Sequence, residues 1–530
     1  MPEAVRPALT PTFHPAPRLR RPRATLATLA ALMTAALGIT VGLTACGADA
    51  TPVNTIGKVA FDIPLAIPPL AASTIDPQGR RVFELTAQEG ESSFVPGGKS
   101  RTMGYNGDYL GPTLVAERGE KVVVRLHNGL PVPTTVHWHG MHLPAKADGG
   151  PHQMIEPGGE RSPSWTIDQQ AATLWYHPHP HGTTTGQVSR GLAGMFILHD
   201  EAERALPIPH EYGVDDIPVV VQDADFTSSG GIDTGAPGFV GPTGGRLLVN
   251  GTLGPFLDVT TDVVRLRLLD ASASRIYRFG FSDGREFALI GTDGGLLEKP
   301  WRTASVQLSP GERAEVLVRM TPGETVTLRS TPPDLGINPV IARMNAGTDS
   351  FDVLQLRASE ALASVGTVPD SLVPMERMTA SSASTERDFQ LDGVQINGRG
   401  MDVNRIDEVV TVGSTEIWNV RNGMSMPHSF HVHDVQFQIL SVGGNPPPPE
   451  LAGWKDTVYL RPDTEYRLIM QFTDYTDPKL PYMYHCHLLW HEDQGMMGQF
   501  VVVEPGQKAG TPPPLPNEES SSEGNSHDHH

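Results

Sequence analysis

Short apolar runs recur along most of the chain and predict β-strands. The runs Lys121–Leu126, Val263–Leu266 and Val409–Val412 are examples, each a few residues long and rich in valine. β-Branched residues in short runs are typical of strands. The 55 glycines and 48 prolines, together with only 6% aromatic residues, favour many strands joined by turns over long helices. The pattern therefore predicts an all-β protein built from sandwiches.

The strand-like runs belong to a repeat that occurs three times. Each run follows an Asn-Gly pair, and the pairs begin at Asn106, Asn250 and Asn397. Self-similarity on this scale indicates repeated structural units. Because 530 residues are too many for one hydrophobic core, we predict three β-sandwich domains, over residues 76–205, 206–385 and 386–505.

The spacing inside the repeat distinguishes the middle unit from its neighbours. In each outer unit a histidine, His137 or His428, lies 31 residues after the asparagine. The same spacing in the middle unit gives Phe281, and residues 211–427 contain no histidine. We therefore expect the outer two domains to carry the chemistry and the middle domain to be structural.

The N-terminal segment has the pattern of an export signal. Four arginines between Arg18 and Arg23 precede the small, apolar stretch Ala24–Val41, as in a cleaved signal over residues 1–45. The following Leu43-Thr44-Ala45-Cys46 resembles a bacterial lipobox, which predicts a lipid anchor on Cys46. An ordinary signal peptide with a chance cysteine is the alternative.

Composition and charge limit the partners and the location. The chain has 60 acidic and 40 basic residues, a net charge of −20, which argues against binding to nucleic acid. Residues 46–75 are predicted to be a lipid-anchored linker, and residues 506–530 a disordered tail that ends in histidines. We expect an exported monomer in the cell envelope, attached to a membrane only through Cys46.

Histidines concentrate in four blocks, and this placement indicates metal sites. Of 20 histidines, most lie in the blocks His137-Trp138-His139, His177-Pro178-His179-Pro180-His181, His428-Ser429-Phe430-His431-Val432-His433, and His485-Cys486-His487 with His491. On a strand, side chains two residues apart point to the same face, so the histidines of a block can converge. Cys486 lies between two histidines and must point to the opposite face. Its thiolate would then bind a different metal, joined to the other site by a few covalent bonds.

The residue types suit copper. A blue-copper centre uses two histidines, one cysteine and a weak axial methionine. Cys486, His491 and Met496 supply the local part of such a centre, His428 completes it, and Met497 is an alternative to Met496. Eight histidines can then hold three copper ions, as a pair with three ligands each and a third with two. These are His137, His139, His177, His179, His431, His433, His485 and His487. Since they come from the first and third domains, the cluster should lie at the interface between them.

Four motifs are similar to the copper signatures of the multicopper oxidases. They are Thr135–Gly140, Trp175–His179, Pro427–His433 and His485–Glu492. The likeness covers about residues 75–505, and the subgroup it resembles most is the bacterial three-domain laccase-like enzymes, including the periplasmic cuprous oxidase. The resemblance implies three cupredoxin-like Greek-key domains and four copper ions. In such enzymes a donor is oxidised one electron at a time, and dioxygen is reduced to water.

The resemblance also assigns individual residues to the copper ions. It implies a type 1 copper on His428, Cys486, His491 and Met496, a type 2 copper on His137 and His431, and a type 3 pair on His139, His177, His179, His433, His485 and His487. In doing so it selects His177 and His179 over His181, and Met496 over Met497. Spacing alone leaves both choices open.

Two acids are candidates for supplying the protons that dioxygen reduction consumes. Glu492 follows a predicted copper ligand, and Asp148 lies in the loop after the first histidine block. A solvated charge is the alternative for Glu492, and a turn residue before two glycines is the alternative for Asp148. The matching acids of the cuprous oxidase feed protons to its cluster, and the resemblance implies the same role here.

The electron donor is less constrained by the sequence. Met424 and Met426 precede His428 and could dock Cu(I), because soft thioethers suit that ion, or could pack a domain edge. The dedicated cuprous oxidases carry a long methionine-rich insertion before the third domain, whereas this chain has only Met375, Glu376 and Met378 there. Organic donors such as phenols and aromatic amines are therefore candidates beside Cu(I).

Two hypotheses without turnover compete with an oxidase. One is a copper-binding or storage protein, which has no need for a cysteine that links two kinds of site. The other is a scaffolding relative that has lost the ligands, as in some cell-division proteins. The intact ligand set argues against the second.

Overall fold

The structure is a computed structural model, and it describes residues 51–233, 237–365 and 368–515. Strands account for most of the regular structure in these ranges, which confirms the all-β prediction. The α-helices are short; they are α1 (Thr184–Ser189), α2 (Glu201–Arg204), α3 (Pro339–Met344) and α4 (Leu489–Asp493). Single 3-10 turns occur at Ala145–Ala147, Pro151–Gln153, Ala380–Ser382 and Pro449–Leu451. Within these ranges no helix is both long and apolar enough to cross a membrane.

The first group of strands forms two sheets. The strands are β1 (Ile63–Pro64), β2 (Ser73–Ile75), β3 (Arg81–Ser92), β4 (Ser100–Tyr105), β5 (Leu114–Glu117), β6 (Lys121–Asn128), β7 (His137–His139), β8 (Glu160–Arg161), β9 (Ser164–Thr166), β10 (Ala172–His177) and β11 (Gly194–His199). One sheet has the order β2-β3-β6-β8, with β4 on β3 and β9 on β6, and the other has the order β5-β11-β10-β7. Strand β1 belongs to a sheet of the second group.

The second group also forms two sheets. Its strands are β12 (Asp216–Phe226), β13 (Ile232–Asp233), β14 (Arg246–Val249), β15 (Thr252–Leu253), β16 (Pro255–Thr261), β17 (Val263–Asp270), β18 (Tyr277–Phe281), β19 (Phe287–Thr292), β20 (Gly295–Thr303), β21 (Ser305–Leu308), β22 (Arg313–Arg319), β23 (Thr325–Ser330) and β24 (Phe351–Ala363). The orders are β15-β14-β12-β17-β22-β19-β20, with β13 on β12, and β1-β16-β24-β23-β18-β21.

The third group repeats this arrangement. Its strands are β25 (Thr385–Asp392), β26 (Gln395–Ile396), β27 (Glu408–Thr411), β28 (Thr415–Asn422), β29 (His428–Val432), β30 (Phe437–Val442), β31 (Thr457–Leu460), β32 (Glu465–Gln471), β33 (Tyr482–Cys486) and β34 (Met497–Val503). The orders are β26-β25-β28-β32-β30 and β27-β34-β33-β29-β31.

The same two parallel pairings recur in each group among mostly antiparallel neighbours. Strand β3 pairs with β6, β12 with β17, and β25 with β28; in the facing sheets β5 pairs with β11, β16 with β24, and β27 with β34. Parallel neighbours need a connection that crosses to the other sheet, which gives a Greek-key sandwich. The predicted threefold, cupredoxin-like architecture is confirmed, whereas the domain boundaries stay predictions.

The repeated Asn-Gly pairs have a common structural reason. Asn106, Asn250 and Asn397 all have a positive φ, of 57°, 49° and 52°, which asparagine tolerates better than most residues. The side-chain amide of Asn250 accepts a hydrogen bond from the N–H of Val220 at 2.8 Å and donates one to the carbonyl of Pro218 at 2.8 Å. The same pair of bonds recurs at Asn106 and Asn397. Each asparagine thus closes the same corner of its sandwich.

The constant spacing of 31 residues does not mark equivalent positions. His137 and His428 each begin a strand, whereas Phe281 ends β18 and does not hold the corresponding place in the middle domain. Strand register gives a second correction, since His137 lies opposite His177 and His431 lies opposite His485. His431 is therefore the counterpart of His137. The turns before β7, β18 and β29 differ in length, which a fixed spacing cannot detect.

The apolar cores show how the domains combine. One continuous core joins residues of the first group, such as Trp138 and Phe196, to residues of the third, such as Trp418 and Phe430. The middle domain has a separate core that includes Phe279 and Leu328. The outer domains thus pack on each other, although the middle domain separates them in sequence.

The predicted linker and tail are in part ordered. Within residues 51–75, β1 pairs with β16, and Phe61 and Leu65 are buried against the middle domain, so this stretch is not a free linker. Near the C terminus, the N–H of Gly510 donates to the carbonyl of Pro478 at 2.7 Å. The predicted signal over residues 1–45, the Cys46 anchor and residues 516–530 lie outside the described residues.

Candidate metal centres

Eight histidines from the first and third domains meet in one buried cluster. They are His137, His139, His177, His179, His431, His433, His485 and His487, each no more than 1% exposed. Strands β7, β10, β29 and β33 and the residues directly after them deliver these side chains. The rings of His137 and His431, one from each domain, have centroids 5.8 Å apart. The cluster therefore lies at the interface that the sequence predicts.

Burial favours the neutral form of seven of these rings. Desolvation lowers the ring pKa to about 3 in His485 and well below the ordinary value in His139, His177, His179, His431, His433 and His487. Neighbouring imidazoles act in the same direction, because like charges placed close together are unfavourable. A neutral imidazole keeps a nitrogen lone pair, which is the form that binds a metal.

In six of the eight rings a hydrogen bond from one nitrogen decides which nitrogen is left for a metal. The Nδ1–H of His137 donates to the carbonyl of Asp148 at 3.0 Å, and that of His431 to the carbonyl of Asp456 at 2.9 Å. Both Nε2 atoms then face the cluster, buried and without a protein partner. Leaving such an atom unpaired is costly, and anchoring through the second nitrogen is typical of metal ligands. The donor set therefore fits a metal centre.

The ring nitrogens lie close together in three overlapping sets: His137 with His139 and His177; His179 with His433 and His485; and His137 with His431 and His433. The Nδ1 of His139 lies 3.2 Å from the Nε2 of His487. In the second set the Nε2 of His485 lies 3.1 Å from that of His179 and 3.3 Å from that of His433. Two nitrogens bound to one metal at about 2.0 Å lie about 3.3 Å apart in tetrahedral geometry, so these separations suit shared ions.

A second site lies on the other face of β33. The Sγ of Cys486 is 3.6 Å from the Nδ1 of His428 and 3.6 Å from the Nδ1 of His491. All three residues are fully buried, and the Nε2–H of His491 donates to the carbonyl of Phe239 at 2.9 Å, which fixes its Nδ1 as the free nitrogen. Met496 is also buried, and its carbonyl accepts a hydrogen bond from the N–H of Cys486 at 3.0 Å. The arrangement has the donor types of a blue-copper centre.

Strand alternation links the two sites. His485 and Cys486 are the last residues of β33, and His487 follows them. The rings of His485 and His487 belong to the eight-histidine cluster, whereas the sulfur between them belongs to the second site. The opposite orientation that the sequence predicts for Cys486 is therefore present.

Glu492 lies beside the eight-histidine cluster. Its carboxylate oxygens are 3.5 Å from the Nδ1 of His179 and 3.3 Å from the Nδ1 of His485. The hydroxyl of Thr184 donates to it at 2.8 Å, and Asp493 accepts bonds from the first N–H groups of α1, so helices α1 and α4 hold the carboxyl in place. Burial raises the pKa of Glu492 well above its ordinary value. The carboxyl is not the solvated charge that the alternative interpretation required.

Asp148 contacts two rings of the cluster. Its Oδ2 accepts a hydrogen bond from the Nδ1–H of His433 at 2.9 Å, and its carbonyl accepts the bond from His137. Asp148 also follows the 3-10 turn Ala145–Ala147, so the turn and the contact with the cluster coexist. Gly149, with a φ of 82°, leaves no space for a side chain, because an added Cβ would overlap the carbonyl of Val136.

Sequence reasoning did not single out Asp456. Its Oδ1 accepts a hydrogen bond from the Nε2–H of His139 at 2.9 Å, which leaves Nδ1 as the free nitrogen of that ring. Asp456 also lies near enough to His139 and His431 to share an ion with them, but both of its oxygens already bind Arg313, at 2.8 and 2.7 Å. No spacing signal connects these residues, since they come from three different domains.

The other residues that the sequence offered as candidates lie outside the eight-histidine cluster. His181 is exposed and joins none of the metal-binding groups among the described residues. Met497 begins β34 and pairs in register with His485. Met424 is 40% exposed, and its sulfur accepts a hydrogen bond from the N–H of Gly393 at 3.0 Å. Met426 is half-buried and lies two residues before His428.

Comparisons with known proteins agree with this geometry. Residues 86–203 and 368–506 match family models described as multicopper oxidase. The multicopper oxidase mco of Staphylococcus epidermidis is 35% identical over 447 residues, which cover 83% of this chain and 92% of that protein. The cell division protein FtsP of Escherichia coli is 38% identical over 443 residues, with coverage of 83% and 92%.

A solved structure extends the comparison to three dimensions. The laccase-like multicopper oxidase CueO of Ochrobactrum sp. superimposes with a TM-score of 0.75 and is 35% identical. The match covers 83% of this chain and 100% of that one. The chain therefore belongs to the multicopper oxidase family.

Proposed function

We propose that the protein is an oxidase that takes single electrons from a reducing donor at a copper held by Cys486 and transfers them to a copper cluster that reduces dioxygen to water. The observation that carries this proposal is the position of Cys486 in β33. Its sulfur faces one site, while His485 and His487 on either side face the other. A copper store or carrier gains nothing from this connection.

Four copper ions fit the donor groups. The type 1 copper is assigned to His428, Cys486, His491 and Met496, the type 2 copper to His137 and His431, and the type 3 pair to His139, His177 and His487 and to His179, His433 and His485. The burial of all these rings and the anchored second nitrogens of His137 and His431 support this assignment. When bound, the copper ions supply one-electron redox chemistry and the binding of dioxygen.

Glu492 and Asp148 are proposed to handle the protons. Glu492 touches two rings of one ligand set, and Asp148 touches rings of two sets. Both carboxyls therefore border the space where dioxygen is reduced. A group within hydrogen-bond reach is the geometric requirement for a general acid.

Phenols and aromatic amines are the proposed donors, with Cu(I) as the second candidate. The Ochrobactrum relative is described as having oxidase activity towards lignin model compounds and lignosulfonate. The small number of methionines before the third domain also supports organic donors. Met424 and Met426, which lie near the proposed type 1 ligand His428, would instead suit Cu(I). The protein is further proposed to be an exported, monomeric lipoprotein of the cell envelope, anchored through Cys46.

Oxygen uptake by the purified, copper-loaded protein tests the proposal. With a phenol, or with Cu(I), the protein should consume dioxygen, and the Cys486→Ser variant should not. A scaffolding role, suggested by the similarity to FtsP, is the second candidate function. Absence of oxygen uptake with both donors from protein that carries its full copper content would favour that role.

A further inference from the structure

The middle domain contacts the cluster although it contributes no ligand. Its turn from Ser309 to Arg313 lies between β21 and the start of β22. The turn is fixed by its own bonds: the N–H and hydroxyl of Ser309 both donate to Glu312 at 2.8 Å, and the N–H of Gly311 donates to the carbonyl of Asp270 at 2.9 Å. Lys455 of the third domain donates to Glu312 at 2.8 Å. The turn is therefore a rigid element held against the third domain.

Arg313 joins all three domains in one chain of hydrogen bonds. Its guanidinium is fully buried and donates to both oxygens of Asp456, which in turn holds the Nε2 of His139. A further bond from its Nε goes to the carbonyl of Thr173 in the first domain at 2.8 Å. A bidentate arginine–carboxylate pair has one strongly preferred geometry. The direction of the His139 ring therefore depends on a residue of the middle domain.

Gly311 lies against the ring of His487, which is assigned to the same copper as His139. Its φ is 86°, and a Cβ added there would lie 2.9 Å from the Cε1 and Nδ1 of His487. Such a side chain would have to displace either the imidazole or the turn. His139 and His487 are both assigned to one ion of the type 3 pair, together with His177. The turn thus acts on two of the three ligands of that ion, directly on His487 and through Asp456 on His139.

We infer that the turn Ser309–Arg313 of the middle domain positions the ligands of one particular copper, the one assigned to His139, His177 and His487. Arg313 and Gly311 are positioning residues, because they act through Asp456 and through the ring of His487. This inference rests on the proposed copper assignment and gives the middle domain a role beyond the structural one expected from the sequence. The site held by Cys486 and the other ion of the pair should not depend on the turn.

Replacement of Arg313 tests the inference through copper content and spin count. In wild-type protein the two Cu(II) ions of the proposed pair should couple and be silent in electron paramagnetic resonance. Arg313→Met should lose one copper per chain, so that the total falls from about four to about three, on the ligand count of the family. The partner ion, no longer coupled, should become visible, so the number of spins rises while the copper content falls. The blue absorbance per chain should stay unchanged.

Matched controls separate positioning from general damage. Arg265→Met removes an equally buried guanidinium of the middle domain that binds Glu203 and Glu315 but no residue of the cluster, and it should keep all its copper. Gly311→Ala should also lose the same copper, whereas Gly284→Ala, with a φ of 73° and open space around it, should not. If Arg313→Met does not fold, the comparison of Gly311→Ala with Gly284→Ala tests the inference.

Each outcome has a defined meaning. Full copper with an unchanged spin count in Arg313→Met or in Gly311→Ala overturns the inference, and so does equal copper loss in the Arg265→Met or Gly284→Ala control. Wild-type protein that never binds a coupled pair, or never turns blue, contradicts the proposed function instead. The two failures are therefore distinguishable.

Discussion

Replacing the thiol of Cys486 by a hydroxyl separates the role of the sulfur in the fold from its role at the metal. Without copper, the effect of Cys486→Ser on stability should be small. The side chain is fully buried, but His428 and His491 each present a ring nitrogen 3.6 Å from the sulfur. A serine hydroxyl can donate to one of them and is not left unpaired, so we expect a loss of about 1–2 kcal/mol in the free energy of unfolding.

With copper, the difference between the two proteins should grow. A metal that binds only the folded state stabilises it by about 2.7 kcal/mol when its free concentration is a hundredfold above the dissociation constant. Serine is a poor substitute for a thiolate at a blue-copper site, so the variant should forgo that stabilisation at this one site. The blue absorbance should vanish, one copper per chain should be lost, and oxygen uptake with any donor should fall to background.

The measurements are denaturant unfolding with and without copper, metal analysis, visible absorbance and oxygen uptake. Cys46→Ser is the matched control, because Cys46 is the other cysteine of the chain and should affect only membrane attachment. A Cys486→Ser protein that is still blue would refute the assignment of the sulfur as a ligand. A variant that is colourless yet oxidises phenols at the wild-type rate would refute the electron path through β33.

Three further predictions concern protons, the donor and the fold. Glu492→Gln keeps the shape of the side chain but removes its acidity. The donor should still bleach the blue colour quickly in stopped-flow assays, while dioxygen turnover slows by about 10²- to 10⁴-fold in steady-state assays. Slow bleaching with normal reoxidation would contradict this role of Glu492. Met426→Leu should raise KM for Cu(I) several-fold and leave phenol oxidation nearly unchanged, whereas an equal response to both donors would mean that Met426 only packs. Asn250→Ala loses three hydrogen bonds and strains a positive φ, which should cost about 2–4 kcal/mol in denaturant unfolding, and Asn250→Gly should cost less. Equal costs of the two substitutions would exclude the strain contribution.

The three-domain β-sandwich architecture was predictable because local sequence patterns indicate it. Valine-rich runs and three Asn-Gly pairs are short-range signals, and each asparagine closes the same corner of its sandwich. The register of the repeat was not predictable from a fixed spacing. Turns of different length precede β7, β18 and β29, so Phe281, the last residue of β18, was matched to histidines that begin their strands.

The order of residues 51–75 was missed for a different reason. That stretch has no alternation of its own, and β1 is only two residues long. Its order comes from pairing with β16, a strand almost two hundred residues away in the sequence. Contacts of that kind leave no local signature, so a proline-containing stretch of this type has the composition of a linker.

The difference between local and non-local signals also applies to the residues of the candidate site. The histidines of the cluster could be singled out because histidines two residues apart on a strand are a local pattern with a direct geometric meaning. The residues that aim those side chains could not, because the contacts are non-local: Asp456 lies more than 300 residues from His139, and Arg313 lies in a domain without any ligand.

The three domains contribute to the candidate site in different ways. The outer domains supply donor atoms, and a strand with alternating faces connects the two kinds of site through Cys486. The middle domain fills the remaining side of the cluster with a rigid turn, where Gly311 leaves room for the His487 ring and Arg313 orients Asp456. A chain with every histidine in place but a displaced turn would keep the sequence signature of the family and lose the geometry of one copper. The ligand set alone is therefore insufficient evidence for turnover, and the turn from Ser309 to Arg313 is the place to examine when a relative with intact histidines proves inactive.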